Sequence, residues 1–412
     1  MRGGTGGLPV EVLRSVAAGG GGEGAARVLR EGQGGRRGVL VRGVLEVARG
    51  GGWGGAGEQA WRVLAEVRER EPSAFAQVVG YPSVGPAARR VLRGVVSGEG
   101  GQGAEAAALL GGVAAAAAVL GGVRATVTVP QAGEVLVLPS VGCLALPEGW
   151  AGEDLVVRTG DGVEVIGGGG VLCVPRKGAA PGWAPVRALH VGEGGAGMTL
   201  LLDEADPDRM PGASLRGGRL TAAEADRWGV LLEEAWTILL RRHWTTAAEA
   251  RVLLRAVTVL DAPPGRATSG TPRHAPGLIG LSSPVDARGL AETIAHEIQH
   301  TKLNAVLDHH VLTEADDGVR HPVAWRPDPR PLLGALHGVY AHLGVAGFWR
   351  RERPAAGPRA EGAYARWRDA AHAAAVALAE SPALTPHGRL FLEGTTATLA
   401  AWKSDPPAAL PA

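Results

Sequence analysis

Apolar residues change their spacing twice along this chain, and those two changes restrict the folds open to it. From about Val10 to Leu120 they recur with a helical period, broken by glycine joints at Gly19 to Gly22 and Gly50 to Gly52. From Val123 to about Leu202 the period falls to two. Thr126 to Val129, Val135 to Leu138, Leu155 to Val157, Val171 to Val174, Arg187 to Val191 and Met198 to Leu202 are short β-rich runs. Pro130, Pro139, Pro147, Asp161-Gly162 and the all-glycine turn Gly167 to Gly170 punctuate them. From Thr221 to Trp402 the helical period returns. This order predicts an α+β fold, mainly helical, with a small antiparallel β-rich unit at its centre and a helical C-terminal domain. We place the units at residues 1–121, 122–215 and 216–412.

Local signals sharpen that outline. Thr221-Ala222-Ala223-Glu224 is a capping box, which predicts a helix running to about Arg242. Val252 to Leu260 reads as a strand, Gly265 to Pro276 as a Gly/Pro/Thr loop, and Gly277 to Leu281 as a second short strand. Ala106 to Leu120 is apolar but interrupted by Gly111 and Gly112, and shorter than the ~20 residues a bilayer crossing needs. A buried helix is the expected outcome. Arg89, Arg90 and Arg93 beside Val91, Leu92 and Val95 read as the solvated face of an amphipathic helix.

Charge and cysteine usage remove several function classes. The formal net charge is +1, which argues against a nucleic-acid-binding surface. The only lysines are Lys177, Lys302 and Lys403; arginine supplies the other cations. Cys143 and Cys173 alone cannot build a multi-disulfide framework or a cysteine zinc ribbon. The opening run from Met1 to Gly7 leads into no apolar signal segment. The expectation is a cytoplasmic protein without a membrane or nucleic-acid partner.

The chemistry concentrates in His296-Glu297-Ile298-Gln299-His300. Two histidines four apart lie on one face of a helix, so both imidazoles reach one metal ion, and the intervening glutamate lies beside it. Leu290, Ile294, Ile298, Leu303, Val306 and Leu307 give this helix a buried side, and Pro284 and Asp286 stand where a start signal belongs. Seven of the 12 histidines fall between His296 and His342. The C-terminal unit is therefore expected to be a metal-binding H-E-x-x-H domain. Leu303 and Val306 occupy the places where a metzincin has Gly and His, which excludes that class. Glu314, Glu352 and Glu361 lie in no convincing apolar helix pattern, and Asp308, Asp316, Asp317, His309, His310 and His321 read as loop residues, with His309 a competing ligand. The apolar run from Leu332 to Trp349 carries His337 and His342 on different faces. His342 shares its face with Ala335, Gly338 and Ala346, small residues that permit close helix approach, so it is the preferred third ligand over His337.

Three segments together resemble the long signature of bacterial H-E-x-x-H proteins found beside ribosomally made peptide gene clusters. They are His296 to Leu307, Trp325-Arg326-Pro327-Asp328-Pro329-Arg330-Pro331-Leu332, and His337 to Arg350. The resemblance reaches back to Leu202 to Pro207 and Pro139 to Gly142. It implies an Fe(II)- and 2-oxoglutarate-dependent β-hydroxylase whose partners are a precursor peptide, dioxygen and 2-oxoglutarate. On that reading His296, His300 and His342 hold iron, and Glu297 is an outer-shell group. Arg330 or Arg326 pairs the distal carboxylate of 2-oxoglutarate, with Arg350 and Lys302 the next cations. Such sites usually take a carboxylate as third ligand, and a histidine there makes the site one charge more positive. Two other readings stay open from the residues: a zinc peptidase with Glu297 activating a Zn(II)-bound water, and a non-catalytic peptide-binding protein.

Overall fold

The computed structural model describes residues 7–130, 133–150, 152–160, 162–175, 178, 180–263 and 267–406. The run Met1 to Gly6, the turn residue Asp161, Lys177 and the loop residue Gly265 lie outside the described residues. The chain is α+β, 55% helix and 17% strand.

Six helices come first: α1 (Val10–Ala17), α2 (Gly22–Gly50), α3 (Gly54–Arg70), α4 (Pro72–Val79), α5 (Val84–Val96) and α6 (Gln102–Gly121). Strands follow: β1 (Ala125–Pro130), β2 (Val135–Leu138), β3 (Gly142–Ala145), β4 (Asp154–Thr159), β5 (Val163–Gly167), β6 (Gly170–Val174), β7 (Trp183–Pro185), β8 (Arg187–Val191) and β9 (Met198–Leu202). The C-terminal half holds α7 (Ala222–Arg242), α8 (Trp244–Leu253), β10 (Ala256–Val259), β11 (Ser269–Gly270), β12 (Leu278–Leu281), α9 (Ala287–Val306), β13 (His321–Val323), β14 (Arg326–Arg330), α10 (Leu332–Ala379, two helical arms joined at a kink where Gly357 has φ 57°) and α11 (Pro386–Ala401).

The β-rich stretch does not form one unit. β1, β4, β5 and β6 make a four-stranded antiparallel sheet, and β2, β3 and β7 a three-stranded one. β8 and β9 leave them to join a five-stranded sheet ordered β11-β12-β10-β9-β8. In it β9, β10 and β12 run parallel, with β8 and β11 antiparallel at the edges. Every residue of β10 and β12 is buried, as expected of parallel strands covered on both faces.

Helix α6 is buried as its composition predicts, and its two interrupting glycines have a packing reason. A Cβ at Gly111 would stand 2.9 Å from the Thr128 carbonyl, and one at Gly112 2.5 Å from the Val137 carbonyl, so the helix lies directly on strand backbone. By length and composition α6 and α10 could each cross a membrane; 67% of the apolar window of each is buried inside the fold. Helix α2 joins two cores. Leu29 packs with α1 and the C-terminal helices, while Val41, Val44 and Leu45 pack with α3 to α6 and the first sheets.

Three expectations fail locally. The apolar run Val252 to Leu260 is the end of helix α8 followed by the four-residue strand β10, because Ala247, Ala250, Val252 and Leu253 are buried around much of the helix and leave no clear period. The Gly/Pro/Thr loop contains the edge strand β11. Glu352 does lie in a helix, fully buried, where Arg242, His243 and Arg288 bond its carboxylate.

At the carboxyl end of β9 the Asp203 carboxylate accepts the Tyr81 hydroxyl at 2.7 Å and the Asp206 amide at 3.1 Å. Asp206, also buried, is pushed up to about 7 by burial and by the charge of Asp203. A carboxyl whose folded value lies above its unfolded one contributes stability that is fully present below about pH 4 and is lost as pH rises through about 7. The buried histidines, held below their usual value, act in the opposite direction, so the parent-to-variant difference carries the test. In urea titrations Asp206→Asn is expected to gain stability relative to the parent as pH rises from 5 to 8, and to match or exceed it at pH 8. A difference between the two proteins that does not change with pH would assign the titration elsewhere.

Candidate metal centre

Helix α9 begins as the sequence predicts: the Asp286 carboxylate caps it by accepting the Gly289 amide at 2.8 Å. The four-residue spacing of His296 and His300 turns both to one side. Their Nε2 atoms lie 3.2 Å apart. Two imidazoles at about 2.0–2.1 Å from one ion would show a separation of this size, so the pair has the spacing of cis ligands. Burial first, and neighbouring imidazoles second, hold both rings down to about 3, so both are neutral and keep a lone pair for a metal.

Helix α10 supplies the other two histidines, and a close crossing brings it there. A Cβ at Gly344 would meet the Ala295 carbonyl at 2.7 Å. Gly344 therefore allows the approach, a residue the face argument did not single out. His337 and His342 then reach different places. His337 Nδ1 lies 3.3 Å from His300 Nδ1, the nitrogen turned away from His296, and so braces the back of that ring. His342 stands beside His296, with ring centroids 5.4 Å apart, and both line one cavity. His342 Nδ1 donates to the Gly338 carbonyl at 2.7 Å, since a carbonyl can only accept, and this leaves Nε2 unprotonated. Trp325 stacks on the ring at 4.3 Å, and Trp367 lies against it, tilted, at 4.6 Å. Gly338 makes that stack possible, because a Cβ there would lie 2.7 Å from the Trp325 indole. Among the described residues no three His, Cys, Asp or Glu side chains stand close enough as placed to hold one ion.

Glu297 is buried, and both of its carboxylate oxygens are engaged. Ser269 Oγ donates to Oε1 at 2.5 Å and Thr271 Oγ1 to Oε2 at 2.7 Å, while Oε1 lies 3.9 Å from His296 Nε2. Ser269 belongs to edge strand β11 and Thr271 follows it. Nothing in the Gly/Pro/Thr run signalled these two hydroxyls, and Trp367 lay in an unremarked stretch of α10. The cavity, about 410 Å³, lies between β11, the Ser282 to Asp286 loop and helices α9 and α10. Besides the two histidines it presents the hydroxyls of Thr268, Ser269, Ser282, Ser283 and Thr293 and the carboxylates of Asp286 and Glu292.

The four cations considered for 2-oxoglutarate stand elsewhere. Arg326 and Arg330 are on the exposed hairpin of β13 and β14, both paired with Asp328 at 3.3 and 3.2 Å. Lys302 is buried against Glu249, and Arg350 pairs with Asp405. His309, the competing ligand, packs against Gly32 instead. Compared with known proteins, the chain matches no family model and no curated protein.

Proposed function

We propose that this chain is an iron(II)- and 2-oxoglutarate-dependent oxygenase that hydroxylates a β-carbon of a side chain in a ribosomally made peptide. His296 and His300 hold the metal through Nε2, and the third position falls to Nε2 of His342, whose ring must move toward the pair to reach it. His337 fixes the orientation of His300 from behind, as the outer partners of metal-bound imidazoles do. Iron with 2-oxoglutarate supplies the oxidising power: one oxygen atom of dioxygen enters the peptide C–H bond, the other enters succinate, and carbon dioxide leaves.

The observation that carries the choice between oxygenase and zinc peptidase is Glu297. A peptidase base needs a carboxylate oxygen free to take a proton from the metal's water. Here both oxygens already accept hydroxyls from Ser269 and Thr271, which suits an anchored outer-shell group. Thr268, Ser282 and Ser283 offer hydroxyl donors to a carboxylate inside the cavity. Arg326 or Arg330 would have to leave Asp328 to serve there. The free edge of β11 lets an extended peptide lie alongside the cavity by backbone pairing.

Anaerobic loading with Fe(II), followed by 2-oxoglutarate, air and a precursor peptide, is expected to add one oxygen to the peptide with succinate formed in step. Peptide fragments made with Zn(II) and no 2-oxoglutarate would replace this reading with the peptidase.

A further inference from the structure

We propose that a cleft of arginines at the far end of the metal helix docks an acidic segment of the substrate peptide. Helices α2 and α5 and the loop after β11 build it. Gln33, Arg36 and Arg37 come from α2, Arg89 from α5 and Arg273 from the loop. One carboxylate is already seated there. Asp308, in the turn after α9, accepts Arg273 Nη1 at 2.8 Å and lies 3.6 Å from Arg36 Nη1. Four guanidinium groups thus face one acid. Arg37 is 8% exposed and Gln33 7%, and among the described residues neither they nor Arg89 make a hydrogen bond or ion pair. Arg37 and Gln33 thus keep unused donors at the cleft. Arg89, Arg90 and Arg93 do not share one solvated face. Instead Arg90 turns away to Glu105 and Asp208, while Arg89 lines the cleft.

The chemistry favours carboxylates carried on a peptide. The enclosed volume is about 20 Å³, too small for a free metabolite, so an acid would meet the arginines as a single side-chain tip reaching in from a chain on the surface. Guanidinium forks match carboxylates in bidentate fashion, and Asp308 shows that one fits. The described lining holds no Phe, Tyr or Trp on which a nucleic-acid base would stack. The loop from Ser269 to Arg273 borders both cavity and cleft. Helix geometry puts the cleft about 18 Å from His296, a span of roughly five or six extended residues. This link to the modified residue rests on the metal-centre reading; the cleft's preference for acid does not.

The test is fluorescence anisotropy of the metal-free full chain with fluorescein-labelled hexaglutamate, a Ser-Gly peptide of equal length and a labelled single-stranded oligonucleotide. Hexaglutamate should bind at least tenfold more tightly than Ser-Gly, and more weakly as salt rises. The Arg36→Gln/Arg89→Gln protein, checked for an unchanged melting curve, should lose that preference; His296→Ala should keep it. Equal binding of the two peptides, or an intact preference in the arginine variant, overturns the proposal. So does loss of the preference in His296→Ala, which would move the peptide to the cavity. Oligonucleotide binding tighter than hexaglutamate, and lost in the arginine variant, overturns it in favour of nucleic acid.

Discussion

His296→Ala and His300→Ala proteins are expected to purify folded and without metal. The two Nε2 atoms at 3.2 Å are the converging donor pair on α9, so either deletion leaves one imidazole of that helix, with His342, facing the ion. Loss of affinity should exceed a hundredfold, beyond the roughly 10- to 100-fold typical of removing an outer partner. Both rings are neutral, and the side chain of His296 is 24% exposed at the cavity wall, so removal strands no buried charge and the melting curve should move little. His337 and His342 separate by the same scale. His342→Ala should behave like the two helix ligands. His337→Ala, which removes only the brace on His300 Nδ1, should weaken binding by about 10- to 100-fold. Metal analysis at full occupancy in His300→Ala would remove that residue from the centre, and reversed behaviour of the α10 pair would make His337 the third ligand.

Why the motif helix could be read and its surroundings could not is a matter of range. The H-E-x-x-H spacing, the Asp286 cap and the Thr221 capping box act within four residues, and each stands in the structure where the sequence puts it. Period-two runs located β1, β2, β4, β6, β8 and β9, but pairing is non-local, so their division among three sheets was not written in the pattern. Strand β11 has two residues, too few to show any period. The hydroxyls on Glu297 come from 28 and 26 residues upstream. Arg326 and Arg330 illustrate a missed consequence of local geometry. In an extended Arg-Pro-Asp-Pro-Arg strand, alternate side chains share one face, which sets both arginines beside Asp328. The prolines confine that strand to a two-stranded hairpin.

Lys302→Met is expected to be the most damaging single change to folding outside the cores. Lys302 and Glu249 are each 1% exposed. The three ammonium hydrogens are matched by three acceptors: Glu249 Oε2 at 2.9 Å and the Gly19 and Gly20 carbonyls at 3.1 Å each. Glu249 Oε1 accepts the Gly22 amide at 3.0 Å, so the network ties the motif helix to α8 and to the start of α2. The glycine joint that the sequence showed only as a break is what turns those carbonyls inward: Gly19, Gly21 and Gly22 have φ of 86°, 115° and 62°, which residues with a Cβ rarely adopt. Removing the lysine leaves a buried carboxylate facing two carbonyl oxygens, at a cost of about 3–5 kcal/mol. The Lys302→Met/Glu249→Leu double variant should recover much of that loss, because it removes both charges and leaves apolar volume. Chemical denaturation of the two proteins decides the matter. A double variant no more stable than Lys302→Met would mean that the ammonium's bonds to the glycine carbonyls, rather than its pairing with Glu249, hold the joint. A Lys302→Met protein as stable as the parent would dismiss the network as a structural anchor.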